Sequence, residues 1–180
     1  MASEMPSHKP PILVLGLGNE MLKDDAVGIR VAEKLEQSFP REVEVRWTSE
    51  FGLALLDELI GRDRVLLIDS YIPESTSAPD FREHSLDSVG PANAPCPHFV
   101  GLGEIRETMR ALGLGFPAEV RVLAIPVYDS TTFSCAMSPQ VAARVTGAAE
   151  RASRIVRTWL TESPAQKRKE HTSIGTSTGA

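Results

Sequence analysis

Apolar positions along the chain alternate between a strand-like period and a helix-like period. Ile12 to Leu15 is a continuous apolar run, which predicts a buried strand. Gly16, Gly18 and Asn19 follow it and favour a tight turn. Val27, Val31 and Leu35 then recur at helical spacing, so a helix is expected from about Asp25 to Ser38, stopped by Phe39-Pro40. Glu42 to Trp47 alternates charged and apolar residues, as a half-buried strand near a sheet edge does. Gly52 to Ile60 reads as a short amphipathic helix with Leu53, Leu56 and Ile60 inward and Gly61 as its C-terminal cap. Val65-Leu66-Leu67-Ile68 is wholly apolar, the mark of a central strand covered on both faces, and it ends in Asp69.

From Tyr71 to Pro97 the periodicity fails, with prolines at 73, 79, 91, 95 and 97. This predicts a long loop, interrupted by a short strand over Phe81 to Leu86. A helix is expected over Gly101 to Leu112, with Leu102, Ile105, Met109 and Leu112 on one face. A strand follows over Glu119 to Val127. Ser138-Pro139 is a helix start, Ser as cap and Pro in the first turn. The final helix runs to about Leu160 with Val141, Val145, Ala148, Ala152, Ile155 and Trp159 inward. Strands alternating with helices argue for an α/β fold with helices on both faces of the sheet.

Composition narrows the setting. At 180 residues, one domain is expected over 11–162, between a flexible N-terminal tail (1–10) and a disordered, Lys-, Ser-, Thr- and Gly-rich tail (163–180). Lys167-Arg168-Lys169 in that tail reads as solvated. With aromatics at only 6%, aliphatic residues must fill the core. A net charge of -5 argues against nucleic-acid and anionic-membrane partners. No run of 18 apolar residues occurs, and Met1 to Pro10 lacks the apolar core of a signal peptide. The two cysteines, Cys96 and Cys135, form no C-x-x-C pair. They fit a reducing, cytoplasmic setting, each as a small packed residue.

Candidate chemistry clusters at strand ends. Gly16-Leu17-Gly18 invites a dinucleotide reading, but Met21 stands where the fingerprint needs a third glycine, and Asp24-Asp25 would repel a pyrophosphate. Either aspartate could cap the first helix, which leaves the other free to act. Asp24 is the better candidate for the cap and Asp25 for the site. Asp69 is either a turn residue or a site carboxylate at the carboxyl edge of the sheet. Of the histidines, His8 and His171 lie in the tails and His84 in a polar strand. His98 follows Pro95-Cys96-Pro97 and precedes a helix. Asp25, Asp69 and His98 together make a donor set that suits a divalent transition metal such as nickel or zinc. No G-x-S-x-G elbow occurs, and nothing marks Cys96 as an activated thiolate.

These residues carry a resemblance. Leu15-Gly-Leu-Gly-Asn-Glu-Met-Leu-Lys-Asp-Asp-Ala-Val-Gly28 is similar to the G-x-G-N-x-(L/M)-x-x-D-(D/E)-x-x-G signature of the hydrogenase maturation proteases. Asp69 in Leu67-Ile-Asp-Ser-Tyr71 and Pro97-His98 before Gly101-Leu102 follow in the expected order, so the likeness extends from about Ile12 to Leu160. The resemblance implies a three-layer α/β/α sandwich with a mostly parallel central sheet. It implies an endopeptidase that removes a C-terminal extension from the precursor of a nickel-iron hydrogenase large subunit, and a protease acting as a monomer. Asp25, Asp69 and His98 become the metal-contacting and catalytic residues. The nickel is presented by the precursor rather than held tightly by the free protease. Metal-polarised attack of water and general-base action by Asp25 are both open routes. Where many relatives carry a Gly-Gly-Thr-like loop, this chain has Thr48-Ser49-Glu50-Phe51-Gly52, and Glu50 adds charge that bears on which hydrogenase is the substrate.

Two other functions compete. Peptidyl-tRNA hydrolase also starts with a Gly-Leu-Gly-Asn turn, but it needs an early histidine and basic surface, and this acidic chain has no histidine between His8 and His84. A nickel-binding chaperone or non-catalytic module on the same fold would hold metal alone, yet no His-rich tract supports it.

Overall fold

The computed structural model describes residues 9–75, 79–86 and 101–162. Five strands form one sheet in the order β2-β1-β3-β5-β4: β1 Ile12–Leu17, β2 Val43–Thr48, β3 Arg64–Tyr71, β4 Arg82–Ser85 and β5 Glu119–Pro126. The first three neighbouring pairs are parallel, and β4 runs antiparallel along β5 as an edge strand. The helices are α1 Val27–Leu35, α2 Leu56–Leu59, α3 Leu102–Ala111, α4 Pro139–Ala142 and α5 Arg144–Thr161.

The pleat of the strands divides the core in two. Ile12 and Val14 of β1 join Leu66 and Ile68 of β3 and Leu123 and Ile125 of β5 beneath α1 and α5. Leu13, Leu15 and Leu17 point the other way, with Val65 and Leu67, and pack against Leu59 of α2 and Ile105 and Met109 of α3. Period-2 alternation in strands that are apolar on both faces therefore yields a helix layer on each side. This is the three-layer α/β/α sandwich with a mostly parallel sheet.

Some elements differ from expectation. The first helix begins as a 3-10 turn over Lys23–Ala26 and becomes α-helical only at Val27. The helix after β2 also begins as a 3-10 turn, Gly52–Leu55. With three residues per turn instead of 3.6, the buried phase shifts. Leu55 and Leu59 are fully buried while Leu53 is 55% exposed, so Leu53 is not part of the inner stripe. Leu112 lies just past the end of α3 and is exposed, so it is not on the buried face either. Cys135 is exposed rather than packed. His84 is half-buried, with Nε2 buried. The tail segments 1–8 and 163–180, with His8, His171 and Lys167-Arg168-Lys169, lie outside the described residues, as do Cys96 and His98.

Candidate active site at the sheet switch point

The strand order places the site. From β1 the chain crosses to β2 on one side, then returns past β1 to β3 on the other, so the connections diverge between β1 and β3. In open α/β sheets the crevice beyond the carboxyl ends at such a point is where ligands bind. Asp25 lies in the turn after β1, and Asp69 lies near the carboxyl end of β3.

One residue links the two carboxylates. The Ser70 amide donates to Asp69 Oδ1 at 2.8 Å, and the Ser70 hydroxyl donates to Asp25 Oδ1 at 2.7 Å. Strand alternation explains how. Asp69 shares the face of Leu67 and Tyr71, over α3, while Ser70 points to the opposite face, under α1. Asp25 Oδ2 accepts the Asn19 amide at 2.9 Å. Asp69 is fully buried and Asp25 half-buried, so Asp25 is the carboxylate that meets solvent. Ser70 was missed by sequence reasoning; its place one residue after Asp69 on an alternating strand puts it on the opposite face, but only the fold brings Asp25 to that face.

The neighbouring aspartate has a different task. Asp24 is 1% exposed. Its Oδ1 accepts the Ser138 amide at 2.7 Å, and its Oδ2 accepts the Ser138 hydroxyl at 2.9 Å. Asp24 therefore ties down the residue that precedes α4, not the start of its own helix. Ser138, expected to cap with its own side chain, instead donates that hydroxyl to Asp24.

The turn is held tightly. Lys23 has a φ of 33°, a conformation costly for a side-chain-bearing residue. It is pinned by its amide to the Ser134 carbonyl at 2.8 Å and by its ammonium to Asp129 Oδ2 at 2.7 Å. The Lys23 hydrogen bond, joined by those from the 131–132 segment, lowers the Asp129 pKa to about 2.

The glycines serve this packing rather than a phosphate. Gly18 has a φ of 148°, and a Cβ there would lie 2.0 Å from the Asp25 carbonyl oxygen. A Cβ on Gly28 would lie 2.3 Å from the carbonyl oxygens of both Leu17 and Ile68. Both glycines thus allow close backbone packing between the turn, α1 and the two central strands.

Among the described residues no three His, Cys, Asp or Glu side chains gather as a metal-holding group. The structure brings Asp25 and Asp69 together through Ser70; His98 lies outside the described residues. Carboxylate oxygens carry more than one lone pair, so accepted hydrogen bonds leave Asp25 able to contact a cation.

A search for a matching family model finds none. The chain is 31% identical over 144 residues to the hydrogenase 2 maturation protease of Escherichia coli (strain K12), covering 77% of this chain and 86% of that protein. The chain belongs to the hydrogenase maturation protease family. Solved structures agree. The hydrogenase maturating endopeptidase HybD from E. coli superposes with a TM-score of 0.66 at 30% identity, over 82% of this chain and 92% of that one. The solution structure of an endopeptidase from E. coli gives a TM-score of 0.69 at 28% identity over the same shares. The [NiFe] hydrogenase maturation protease HybD from Thermococcus kodakarensis, at 22% identity and a TM-score of 0.64 over 80% of this chain and 97% of that one, shares the fold. As a hydrogenase maturation protease, the chain is a hydrolase of peptide bonds.

Proposed function

We propose that this maturation protease removes a C-terminal extension from the nickel-loaded precursor of a nickel-iron hydrogenase large subunit. In this reading Asp25 and Asp69 contact the nickel that the precursor presents, with His98 as the third group. The observation that carries it is the Ser70 link, which holds two carboxylates at the sheet switch point with one of them open to solvent. Two acidic groups held together by neutral Ser70 and Asn19 donors favour a cation brought to them. Nickel accepts both oxygen and imidazole donors.

The surface around the turn suits a protein substrate. Met21 is 58% and Phe133 81% exposed, and their strands of chain are joined by two backbone hydrogen bonds between Met21, Lys23 and Ser134. Exposed apolar side chains beside a polar site mark a protein contact. A precursor seated there presents its scissile carbonyl to water near Asp25. Water adds to the carbonyl carbon, the C–N bond breaks, and the departing amine takes a proton. Asp25 is placed either to orient that water or to accept its proton. No helix among the described residues is long and apolar enough to cross a membrane, and we place the reaction in the cytoplasm.

The test incubates nickel-loaded precursor with the wild-type protease and with its D25N and D69N variants, and weighs the products by mass spectrometry. Wild type is expected to release the extension. Each folded variant is expected to lose at least about a hundredfold in rate, the scale at which positioned acid–base groups act. Full activity in both variants would remove these carboxylates from the site. No cleavage by wild type would favour a binding module.

A further inference from the structure

A cavity of about 700 Å³ opens beside the Asp24-Asp25 turn, between the start of β4, the end of β5 and the first turns of α4 and α5. Asp80, Phe81, Tyr128, Gln140, Arg144 and Gly147 line it. Its walls are tied to Asp24, the neighbour of Asp25. Tyr128 precedes Asp129, whose carbonyl accepts the Asp24 amide at 3.1 Å, and Gln140 lies two residues past Ser138, which Asp24 holds.

Arg144 is the unusual member. Its Nε and Nη1 are buried and have no hydrogen-bond acceptor among the described residues. Asp80 Oδ1, on a side chain 77% exposed, forms an ion pair with Nε at 3.5 Å without a hydrogen bond, so the guanidinium keeps its N–H groups for a ligand that displaces it. The guanidinium lies over the Tyr128 ring, 5.7 Å from its centre, a contact that leaves its N–H groups unsatisfied. An arginine stays charged at every physiological pH, and its planar fork matches a carboxylate with two parallel hydrogen bonds. Phe81 and Tyr128 give the rest of the cavity an apolar, aromatic wall, and Gln140 adds an amide donor. The volume lies within the range of small-ligand sites and exceeds what one carboxylate group fills.

We propose that this cavity binds a carboxylate of the peptide substrate, seated on the Arg144 guanidinium, whose Nε and Nη1 have no hydrogen-bond partner among the described residues. It rests on the endopeptidase reading, in which the extension of a peptide cut at Asp25 reaches this cavity. The carboxylate is either the C-terminus of the extension or an acidic side chain within it. Arg144 touches substrate here away from the reacting atoms, so it sets affinity rather than the chemical step.

The full chain is titrated with acetylated trialanine bearing a free C-terminal carboxylate, with its C-terminal amide, and with an amidated peptide carrying one glutamate. The Arg144 Nε–H resonance is followed by NMR. A saturable shift with either acidic peptide and none with the trialanine amide supports the assignment. The free-terminus peptide acting alone identifies the C-terminus, and the glutamate peptide identifies a side chain. Equal shifts with acid and amide, or no shift with any probe, overturn it. In the cleavage assay R144Q is expected to raise KM at least tenfold with kcat within threefold of wild type. R144K, which keeps the charge without the fork, is expected to fall between them and serves if R144Q does not fold. Unchanged KM in a folded variant overturns the cavity assignment while leaving the endopeptidase reading intact. If wild type cleaves no precursor, the endopeptidase reading fails instead, and the NMR titration decides the cavity alone.

Discussion

Gly28→Ala tests whether the fold and the site are one construction. The added Cβ would meet the carbonyl oxygens of Leu17 and Ile68 at 2.3 Å, where real Cβ contacts stay beyond about 3.0 Å. Both obstacles are backbone in the two central strands, so neither can rotate away. α1 must retreat by about 0.7 Å. A gap of that size forfeits roughly a quarter to a half of the contact energy of each atom pair it separates, here under Val27 and Val31. Overpacking of this kind costs about 1–3 kcal/mol, and the better helix propensity of Ala returns up to about 1 kcal/mol. A net loss of about 1–2 kcal/mol lowers Tm by about 2–8 °C in a domain of this size. Asp25 sits in the turn that feeds α1. If it moves with the helix, its 2.7 Å bond to Ser70 stretches beyond useful hydrogen-bond length. Misplacement near 1 Å costs on the order of a hundredfold in rate. The variant should therefore melt slightly early and lose at least about tenfold in kcat/KM, read by thermal circular dichroism and by mass spectrometry of the cleaved precursor. A Tm within 1 °C and a kcat/KM within about twofold of wild type would refute the coupling.

Other perturbations separate structural from chemical roles. D24A removes two charge-assisted hydrogen bonds to Ser138, each worth about 1.5–3 kcal/mol, so its urea midpoint should fall by more than that of D25N, whose carboxylate is half-exposed. Equal midpoints would contradict the division of labour between the two aspartates. Burial, aided by the Arg82 charge, holds the His84 pKa below 6.5. The unfolded chain then binds the extra proton first, so stability present above pH 6.5 is lost as pH falls below it. H84Q should flatten urea midpoints measured between pH 7.5 and 5.5, and an unchanged slope would assign that loss elsewhere. Phe133, 81% exposed, should tolerate F133S with unchanged Tm. If it contacts the precursor, KM rises several-fold at constant kcat, the pattern of lost uniform binding; an unchanged KM removes it from the interface.

The element order and sheet class were legible because they rest on local periodicity. The wholly apolar Val65-Leu66-Leu67-Ile68 run declared a strand covered on both faces, and the charged alternation of Glu42 to Trp47 declared an edge. The errors arose where local rules yield to other geometry. The 3-10 start at Gly52–Leu55 shifted the buried phase from Leu53 to Leu55 and Leu59, which a 3.6-residue period cannot anticipate. Asp24 was expected to cap its own helix and does not, because its donor, Ser138, lies 114 residues away and only the folded sheet edge brings them together. Asp25 and Asp69 stood out by type and by place at strand ends. Their common partner Ser70 did not, because a serine in a buried strand carries no chemical signal until its face is known.

The most direct measurement offers the protease a cognate large-subunit precursor prepared with and without nickel and weighs both products by mass spectrometry. Loss of the C-terminal extension from the nickel-loaded form alone is the expected result. Equal cleavage of the nickel-free form would contradict a metal contact by Asp25 and Asp69 and reduce them to parts of an ordinary peptide-binding edge.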